Sequence, residues 1–497
     1  MKRTDQIDRP PTRPGTIKVF LLTALALSGM ACLFTPYYWA AFLPAFLMGS
    51  LLLLSRLPEA GYYAIVLLVP FGAYRNIGGE GADLKLHWII AAMVTAILLL
   101  RHMHHKDSIR GISSRLWPFL LLIGIISFIS NLYSPYPETA FGDLLRFALG
   151  LVFFILGMAL INEKGLRTWL PLSLVGGVSI GSLLAVIGYF FHVALFASDV
   201  DPGQFTRGTG ASIGSNNVAL MIIFVFPLLV DRMLYAKTAL GRLLAIALIL
   251  LNSAGLMTTY SRGGALIFTA IVLTLLVRHR ALFTPRRMGL FIAGAGTLCV
   301  MALAVVPQDY WDRQLSLIEH NDRAINRRTS YIMVAWETIK ENPVLGSGMG
   351  TFRKIYGKSP VSRTFNLRGL PEERYAHNTY LELAVGTGFT GLAVFLGLLI
   401  CVLSNFSKAG SIYAALGQTR MASLTRSYRL CFIAMLLYFL IKSAFEHKFF
   451  FVILAASQVA LNLALQAQVK AQFEAQPSES LTDIDTRTTG AAETADA

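Results

Sequence analysis

A histidine at the border between a polar segment and an apolar helix is well placed for chemistry. His377 follows the long polar segment from Pro307 to Ala376 and precedes an apolar run that begins at Asn378. Histidine exchanges a proton near neutral pH, and at a membrane border both a polar substrate and a lipid tail can reach it. The position therefore predicts a general acid or base, with a helix cap or an interface contact as the alternative.

Two arginines lie at the ends of predicted spans on the same predicted side of the membrane as His377. Arg207 stands just before the apolar run at 216–234, and Arg262 stands in a Ser-Arg-Gly-Gly turn between two apolar runs. A guanidinium beside the unpaired amides of a helix end makes an anion site. Each arginine has an alternative role as an anchor that contacts lipid headgroups.

These residue types together suit glycosyl transfer from a lipid diphosphate. Permanently charged, bidentate arginines bind a diphosphate well and stabilise the charge of the departing phosphate. A neutral imidazole nearby can accept the proton of an attacking sugar hydroxyl. No cluster of Asp and Glu with metal-binding spacing stands on this predicted side. We therefore expect a reaction that needs neither a metal nor another cofactor.

Other charged or polar residues near this border are weaker candidates. We expect Arg146, at the outer end of a span, and Asn378, beside the histidine, to contact substrate. Arg328 opens a predicted helix of the polar segment, where it either binds substrate or fixes the loop. Lys442 and Glu446 stand four residues apart near an outer span end, and we predict that they pair structurally.

The composition is that of a polytopic membrane protein. Hydrophobic residues make up 55% and charged residues 14% of the chain, whereas soluble domains carry about a quarter charged residues. The formal charge of +15 falls in short basic clusters between apolar runs, which is typical of cytoplasmic loops and argues against a nucleic-acid partner. His102, His104 and His105 belong to one such loop, and the cysteines lack metal-ligand spacing.

The apolar runs predict an all-α fold with about 12–14 transmembrane helices and one large periplasmic loop. The predicted spans are 19–34, 37–54, 61–74, 86–100, 116–132, 144–161, 169–194, 216–234, 243–259, 263–277, 288–306, 378–403, 430–445 and 449–466. With the amino terminus in the cytoplasm, basic residues concentrate in the loops that face inward. The key histidine and arginines then lie outside, in the periplasm of a bacterium with two membranes.

Five regions follow from this topology. They are a disordered cytoplasmic tail (1–18), N-terminal transmembrane helices (19–306), the periplasmic loop (307–377), C-terminal transmembrane helices (378–466) and a second disordered cytoplasmic tail (467–497). Both tails are polar. Membrane lipids are the expected surroundings of the two helical regions.

Within the loop, helical spacing of apolar residues predicts a helix over 325–341 that Pro343 ends. Its predicted apolar face is formed by Ile325, Ile332, Ala335, Trp336 and Ile339. The glycine-rich stretch from Gly346 to Gly350 follows. It has a GxGxG pattern, but no strand precedes it and no βαβ unit is present, so we predict a tight turn that returns the chain to the membrane.

Several short stretches, taken in order, carry a resemblance to a known family. They are Arg207-Gly208 with Asn216-Asn217, Ser261-Arg262-Gly263, Asn342 to Phe352, His377-Asn378 and Gly388 to Gly391, with a weaker match from Ser134 to Arg146. Over about residues 130–400 the chain resembles the O-antigen ligase superfamily, which includes some polysaccharide polymerases and protein O-oligosaccharyltransferases. The resemblance implies that Arg207 and Arg262 bind the undecaprenyl diphosphate of the donor and that His377 is catalytic.

The residues and the resemblance lead to one expected activity. We expect a bacterial inner-membrane glycosyltransferase that moves a glycan from undecaprenyl diphosphate to a lipid A-core sugar on the periplasmic face. A polymerase that adds the glycan to a second lipid-linked repeat stays open, since Leu392 stands where some ligases carry a small polar residue. A lipid-linked glycan transporter is a rival, although transporters usually carry paired repeats and charges near mid-membrane. A structural scaffold would leave the shared side of the three residues unexplained.

Overall fold

The computed structural model describes most of the chain. The described residues are 43–72, 86–104, 112–199, 206–212, 214–282, 308–315, 323–364 and 372–475. The predicted amino-terminal tail, the predicted spans at 19–34 and 288–306, and the predicted carboxyl-terminal tail beyond residue 475 lie outside these ranges.

Helices make up nearly all the regular structure of the described residues. The helices before the polar segment are α1 Leu43–Arg56, α2 Pro58–Leu68, α3 Leu86–His104, α4 Trp117–Leu132, α5 Pro137–Leu160, α6 Leu170–Phe190, α7 Ser215–Leu234, α8 Ala239–Thr258 and α9 Arg262–Arg278. Those that follow are α10 Gln308–Leu315, α11 Arg323–Glu341, α12 Phe352–Lys358, α13 Pro360–Thr364, α14 Thr379–Ala415, α15 Thr419–Phe439 and α16 Lys448–Ala475. Two strands, β1 Ala197–Asp199 and β2 Thr206–Gly208, form one antiparallel pair.

Six helical segments in the described ranges are long and apolar enough to cross a membrane. They are Pro137–Leu160, Gly165–Phe190, Ser215–Leu234, Ala239–Thr258, Thr379–Ala415 and Lys448–Glu474. The segments Met48–Arg56 and Pro58–Phe71 meet at a bend of 115° and pass the same test only together. The prediction of an all-α, multi-pass membrane protein is confirmed, whereas the count of about 12–14 spans stays a prediction.

The chain divides into two compact units. One comprises Met1–Gly61 and Ala92–Ser108, and the other comprises Tyr62–Ala91 and Ile109–Ala497. In the first unit, the guanidinium of Arg101 donates to the carbonyl of Ser55. The candidate functional residues all belong to the second unit.

The helix α15 begins well before its predicted span at 430–445. Its basic first turns, predicted as a cytoplasmic loop, pack against α7 because the charges find partners there. Arg420 pairs with Asp231 of α7, whose side chain is 3% exposed, and the hydroxyl of Ser423 donates to the same carboxylate at 3.0 Å. Burial of a paired charge is tolerated where an unpaired one is not.

Two other helices extend beyond their predicted ends. The helix α14 continues to Ala415 instead of ending at 403, and α16 continues to Ala475 instead of ending at 466. The extension of α16 is rich in Ala, Gln, Lys and Glu, which are good helix formers, so the helix persists into the segment predicted as a disordered tail.

The loop helix α11 is present as predicted, but its buried face is rotated from the predicted one. Tyr331, Val334, Ala335 and Ile339 are buried, whereas Ile332 and Trp336 are exposed. At 100° per residue the last two lie at or beyond the edge of the stripe that the buried residues define. The buried stripe packs with Phe352 and Tyr356 of α12 and with Ala384 and Val385 of α14, and it fixes the loop on the membrane helices.

The helix α14 is broken, and the glycine-rich turn fills the break. Gly388 has φ 67° and ψ −173°, which interrupts the helical hydrogen bonds. The amides of Ser347 and Gly348 donate to the carbonyls of Val385 and Gly386 at 2.8 and 3.0 Å. The predicted turn is therefore present, and it satisfies backbone groups that a break inside an apolar helix leaves without partners.

Three further hydrogen bonds hold the same turn in place. On its other flank, the amide of Phe389 donates to the carbonyl of Pro343 at 2.8 Å. At the end of α4, the side chains of Ser130 and Asn131 accept hydrogen bonds from the amides of Gly348 and Met349, each at 2.9 Å. The loop and the helix break thus form one hydrogen-bonded unit that shapes the start of α14.

Candidate active site

A cavity of about 660 Å³ contains two of the predicted site residues, Arg207 and His377. Its wall comes from the start of α7, the turn before α14, the first turns of α14, the segment between α15 and α16, and the glycine-rich turn. The predicted site residues that do not line it are Arg146, Arg262, Arg328 and Asn378.

His377 occupies a strained turn that α14 holds in place. Its φ of 52° lies in the left-handed region, which is uncommon for a residue other than glycine and clusters at functional sites. The amide of the preceding Ala376 donates to the carboxylate of Glu382 at 2.7 Å. The cap of α14 is Asn378, whose side-chain oxygen accepts from the amide of Leu381 at 3.1 Å. The alternative that His377 caps this helix is therefore wrong.

The imidazole of His377 lies in a positive environment. Burial, and then the charges of Lys442, Arg328 and Arg374, lower the pKa of His377 from 6.5 to about 4. The imidazole is therefore neutral at pH 7, so a ring nitrogen is available to accept a proton. The ring of Tyr331 on α11 packs beside it, with 5.8 Å between ring centroids.

Arg207 reaches the cavity from the strand β2. Its backbone pairs with Ser198 of β1. Its guanidinium donates through Nε to the carbonyl of Thr259 at 2.7 Å and through one terminal nitrogen to the side chain of Asn216 at 3.3 Å. These contacts fix the guanidinium between the end of α8 and the start of α7.

Arg262 is the first residue of α9, in the turn to which Arg207 is bonded. Ser261 caps α9, and its hydroxyl lies 3.4 Å from that of Tyr438, which in turn donates to the carbonyl of Asn216 at 2.9 Å. A Cβ on Gly263 would come within 2.4 Å of Ile441. The Ser-Arg-Gly turn is therefore packed against the end of α15, next to the cavity wall.

Arg146 and Arg328 act on the cavity through other residues. Arg146 pairs with Asp143 on the same helix and lies 3.8 Å from Glu446, and both of these acidic residues line the cavity. Arg328 is exposed on α11, and its charge contributes to the lowered pKa of His377.

Lys442 is a cavity residue that the sequence-based prediction assigned a different role. The segment from 440 to 447 is not helical, so the spacing of four residues does not bring Lys442 to Glu446. The hydroxyl of Thr379 donates to the carbonyl of Lys442 at 2.7 Å and accepts from the amide of Ala444 at 3.0 Å. The predicted structural pair is therefore wrong. Burial lowers the pKa of the Lys442 ammonium to about 8.

Three acidic residues also belong to the cavity. Asp143, Glu382 and Glu446 line it. Burial, and then the neighbouring Asp143, raise the pKa of Glu446. The carboxylate of Glu382 accepts from the amide of Ala376 and from the hydroxyl of Ser443, at 2.7 and 3.0 Å. Glu382 thus ties the His377 turn to the segment that carries Lys442.

Sequence reasoning missed these cavity residues because their neighbours come from distant segments. The available signal was the density of polar residues from Lys442 to Lys448 between two apolar helices. Across the described residues, no group of three or more His, Cys, Asp or Glu side chains is placed to hold a metal ion. A second cavity of about 540 Å³ lies between the start of α5 and α12 and contains none of the predicted site residues.

One comparison with known proteins gives a match. Residues 245–396 match the family model described as O-Antigen ligase. This segment runs from α8 into α14, and it includes Arg262, Arg328, His377 and Asn378, while Arg146 and Arg207 precede it. No curated protein matches the chain.

Proposed function

We propose that this chain, a multi-pass membrane protein of the O-antigen ligase superfamily, transfers a glycan from undecaprenyl diphosphate to a lipid A-core sugar. Members of this family are glycosyltransferase-like enzymes that act in O-antigen ligation or polymerisation. In this proposal the protein lies in the bacterial inner membrane and its cavity opens on the periplasmic side. The positive-inside pattern of its loops supports that orientation.

One observation carries the proposal. A neutral imidazole, His377, lines the same cavity as a guanidinium that is fixed by two hydrogen bonds, Arg207. A transfer from a lipid diphosphate needs both a proton acceptor for the attacking hydroxyl and fixed positive charge for the leaving group.

The reaction follows from these two roles. An acceptor sugar hydroxyl gives its proton to His377 as its oxygen bonds to the anomeric carbon of the donor. The bond from that carbon to the phosphate oxygen breaks, and its electron pair leaves with undecaprenyl diphosphate. Arg207, with Arg262 from the adjoining turn, stabilises the charge that develops on the departing diphosphate. The resulting imidazolium then releases its proton to water.

The choice of acceptor is tested directly. Purified protein in nanodiscs is incubated with a lipid-linked glycan, and either lipid A-core or a second lipid-linked repeat is offered. We expect glycan on lipid A-core. If the glycan appears only on the second lipid-linked repeat, the protein is a polymerase. If no product forms with either acceptor, glycosyl transfer is contradicted. Leu392, the position that leaves the polymerase open, packs against the core under the loop helices.

The role of His377 is tested with variants that respect its backbone. Asparagine adopts the left-handed region more readily than most residues, so His377→Asn keeps the turn and removes the titrating group. We expect His377→Asn and His377→Gln to lose about 10²–10⁴-fold in turnover, the usual contribution of a positioned base, while donor binding persists. The exposed His102 provides a matched control, as His102→Asn should leave turnover unchanged. Substantial activity in the Gln or Asn variant would remove the base assignment.

A further inference from the structure

Lys442 is a half-buried cation of the cavity that the proposed reaction leaves unused. It lines the cavity together with Arg207 and His377. Its backbone is held at the first turn of α14 by Thr379, and its neighbour Ser443 is held there by Glu382. The backbone of Lys442 is therefore fixed beside the first turn of α14, and its charge lies close enough to His377 to lower the pKa of that imidazole.

No carboxylate in the described part of the chain lies within ion-pair distance of Lys442. The acidic residues of the cavity are engaged elsewhere. Asp143 and Glu446 contact Arg146, and Glu382 accepts hydrogen bonds from Ala376 and Ser443. Burial is the cause that lowers the pKa of Lys442, with no compensating acid. A cation that is largely withdrawn from water and has no ion-pair partner is unfavourable, so the position of Lys442 suits a ligand that supplies negative charge.

A second feature of the cavity also favours an anion. Gly214, Ser215, Asn216 and Asn217, at the start of α7, all line it. The capping residue Gly214 has no side chain that could accept from the first amides of this helix. A helix start carries partial positive charge and amide donors, and phosphate groups bind there. The helix is 20 residues long, so its peptide dipoles add up to a full partial positive charge at this end.

We propose that Lys442 and the start of α7 bind one phosphate group of the donor diphosphate, next to the phosphate that Arg207 contacts. This inference rests on the proposed function, because the diphosphate is that of its donor. A diphosphate carries more charge than one guanidinium neutralises, and a compact ammonium suits the phosphate that a bidentate arginine does not reach. Lys442 thus acts on the leaving group, while His377 acts on the acceptor.

The test measures binding of the sugar-free lipid, so that it is independent of glycosyl transfer. Radiolabelled undecaprenyl diphosphate is titrated against wild type, Lys442→Met, Lys442→Arg and Lys340→Met in detergent. Lys340 is an exposed lysine on α11 outside the cavity, and its variant controls for general electrostatic attraction. We expect Lys442→Met to weaken binding by about 10- to 100-fold, the range for a charge-assisted hydrogen bond. Lys340→Met should bind like wild type, and Lys442→Arg should retain more affinity than Lys442→Met.

Thermal unfolding separates a ligand-binding role from a structural one. If Lys442 is kept for its ligand, removing an unpaired buried charge leaves the Tm of the ligand-free protein equal or higher while affinity falls. A lower Tm with unchanged diphosphate affinity would overturn the inference and make Lys442 a packing residue. A shifted acid limb of activity with unchanged affinity would also overturn it, because Lys442 would then act only through His377.

Two further outcomes identify the source of the phosphate and distinguish a failure of this inference from a failure of the proposed function. Excess phosphatidylglycerol should fail to displace undecaprenyl diphosphate. Equal displacement would assign the site to a lipid headgroup and overturn the donor assignment. If wild type binds no undecaprenyl diphosphate, the proposed function fails, whereas equal binding by wild type and Lys442→Met defeats this inference alone.

Discussion

The cations around His377 lower its pKa further than is needed to keep the imidazole neutral at pH 7. Burial and the surrounding Lys442, Arg328 and Arg374 keep its imidazole neutral, but the same lowered pKa makes it a weak proton acceptor. In the proposed reaction, a bound diphosphate adds negative charge beside the imidazole and raises its pKa towards neutrality. Under this proposal the base becomes stronger when the donor is present, which limits proton uptake by an empty site.

The pH dependence of activity follows from this argument. A base works when neutral, so the rate falls as the pH drops through its pKa. For the free enzyme that pKa is about 4, and we expect kcat/KM to hold from neutrality down to roughly pH 5. The acid limb of kcat should lie at higher pH, because kcat reports the donor-bound state. Tryptophan fluorescence must show an intact fold at each pH. A kcat/KM limb at or above pH 6.5 would contradict the lowered pKa.

A substitution at Arg262 distinguishes the contribution of its positive charge from that of its planar shape. Arg262→Lys keeps the positive charge but loses the planar fork that contacts two phosphate oxygens at once. We expect most of the activity to be lost at normal expression. Arg280→Lys is a matched control, since Arg280 is exposed just past the other end of α9. Turnover by Arg262→Lys at the wild-type rate would make Arg262 a membrane anchor only.

The sequence indicates some site residues better than others. Arg207, Arg262 and His377 were found because each stands at the end of an apolar run, where a charge is conspicuous. The contact between Arg207 and Thr259 was not foreseeable, since it joins residues whose neighbourhood depends on the packing of α7 and α8. Lys442 was misassigned because the spacing argument presumed a helix, and the chain between α15 and α16 is not helical.

Among the elements, the broken helix α14 depends on close approach of two backbones. A Cβ on Gly388 would lie 2.2 Å from the carbonyl oxygen of Val344, and one on Gly346 would lie 2.5 Å from the amide nitrogen of Gly388. Both glycines also have positive φ, where a side chain is strained. Glycine is thus required at these two positions for space as well as conformation.

This requirement predicts the effect of a single methyl group. We expect Gly388→Ala to lower stability by at least about 1–3 kcal/mol, the cost of a strained residue before the clash is added, and to abolish transfer. Gly410→Ala in the same helix is the control. Its Cβ would meet nothing closer than Arg426 at 3.7 Å, and alanine favours a helix by up to about 1 kcal/mol. Thermal unfolding in detergent measures both variants, and equal Tm values for the two would refute the role of the break.

The membrane helices are predictable from the sequence because their apolar runs are long. The start of α15 and the break in α14 are not predictable in this way. The start of α15 is hidden from a hydropathy argument because its arginines look like a loop until Asp231 is known to face them. The break in α14 is hidden because Gly386, Gly388 and Gly391 are tolerated in an apolar helix, and their purpose appears only with the loop beside them.

At the scale of the whole molecule, the length of α14 bears on sidedness. The part of α14 after the break at Gly388, from 389 to 415, extends about 40 Å at 1.5 Å per residue, more than the roughly 30 Å of hydrocarbon in a bilayer. The His377 end and the Lys408 end therefore face opposite aqueous phases in the predicted topology.

Cysteine labelling tests that topology. In a variant without native cysteines, we expect Lys340→Cys to react with an impermeant maleimide added to cells with a permeabilised outer membrane. Lys408→Cys should react only after lysis. Both lysines are exposed in the structure, so a difference in labelling reports the side of the membrane. Labelling of Lys408→Cys in intact spheroplasts would reverse the orientation.

The positive charges around the cavity lead to a prediction about chelators. In the proposed reaction, the cations that line or adjoin the cavity supply the positive charge that a divalent ion supplies in metal-dependent transferases. They are Arg207, Lys442 and Arg262. We expect transfer to persist in excess EDTA. A loss of product that a divalent metal restores would contradict this expectation.

The hydrogen bonds between the glycine-rich turn and the break in α14 determine which segments of this protein can be exchanged with those of another chain that matches the same family model. A graft that ends at the conventional loop boundary near residue 377 would replace one partner and leave the other, although their backbones share hydrogen bonds. Residues 342–391 contain both partners of these backbone hydrogen bonds and should be exchanged together. If the proposed function holds, specificity transplanted in this way should travel with the first turns of the following membrane helix.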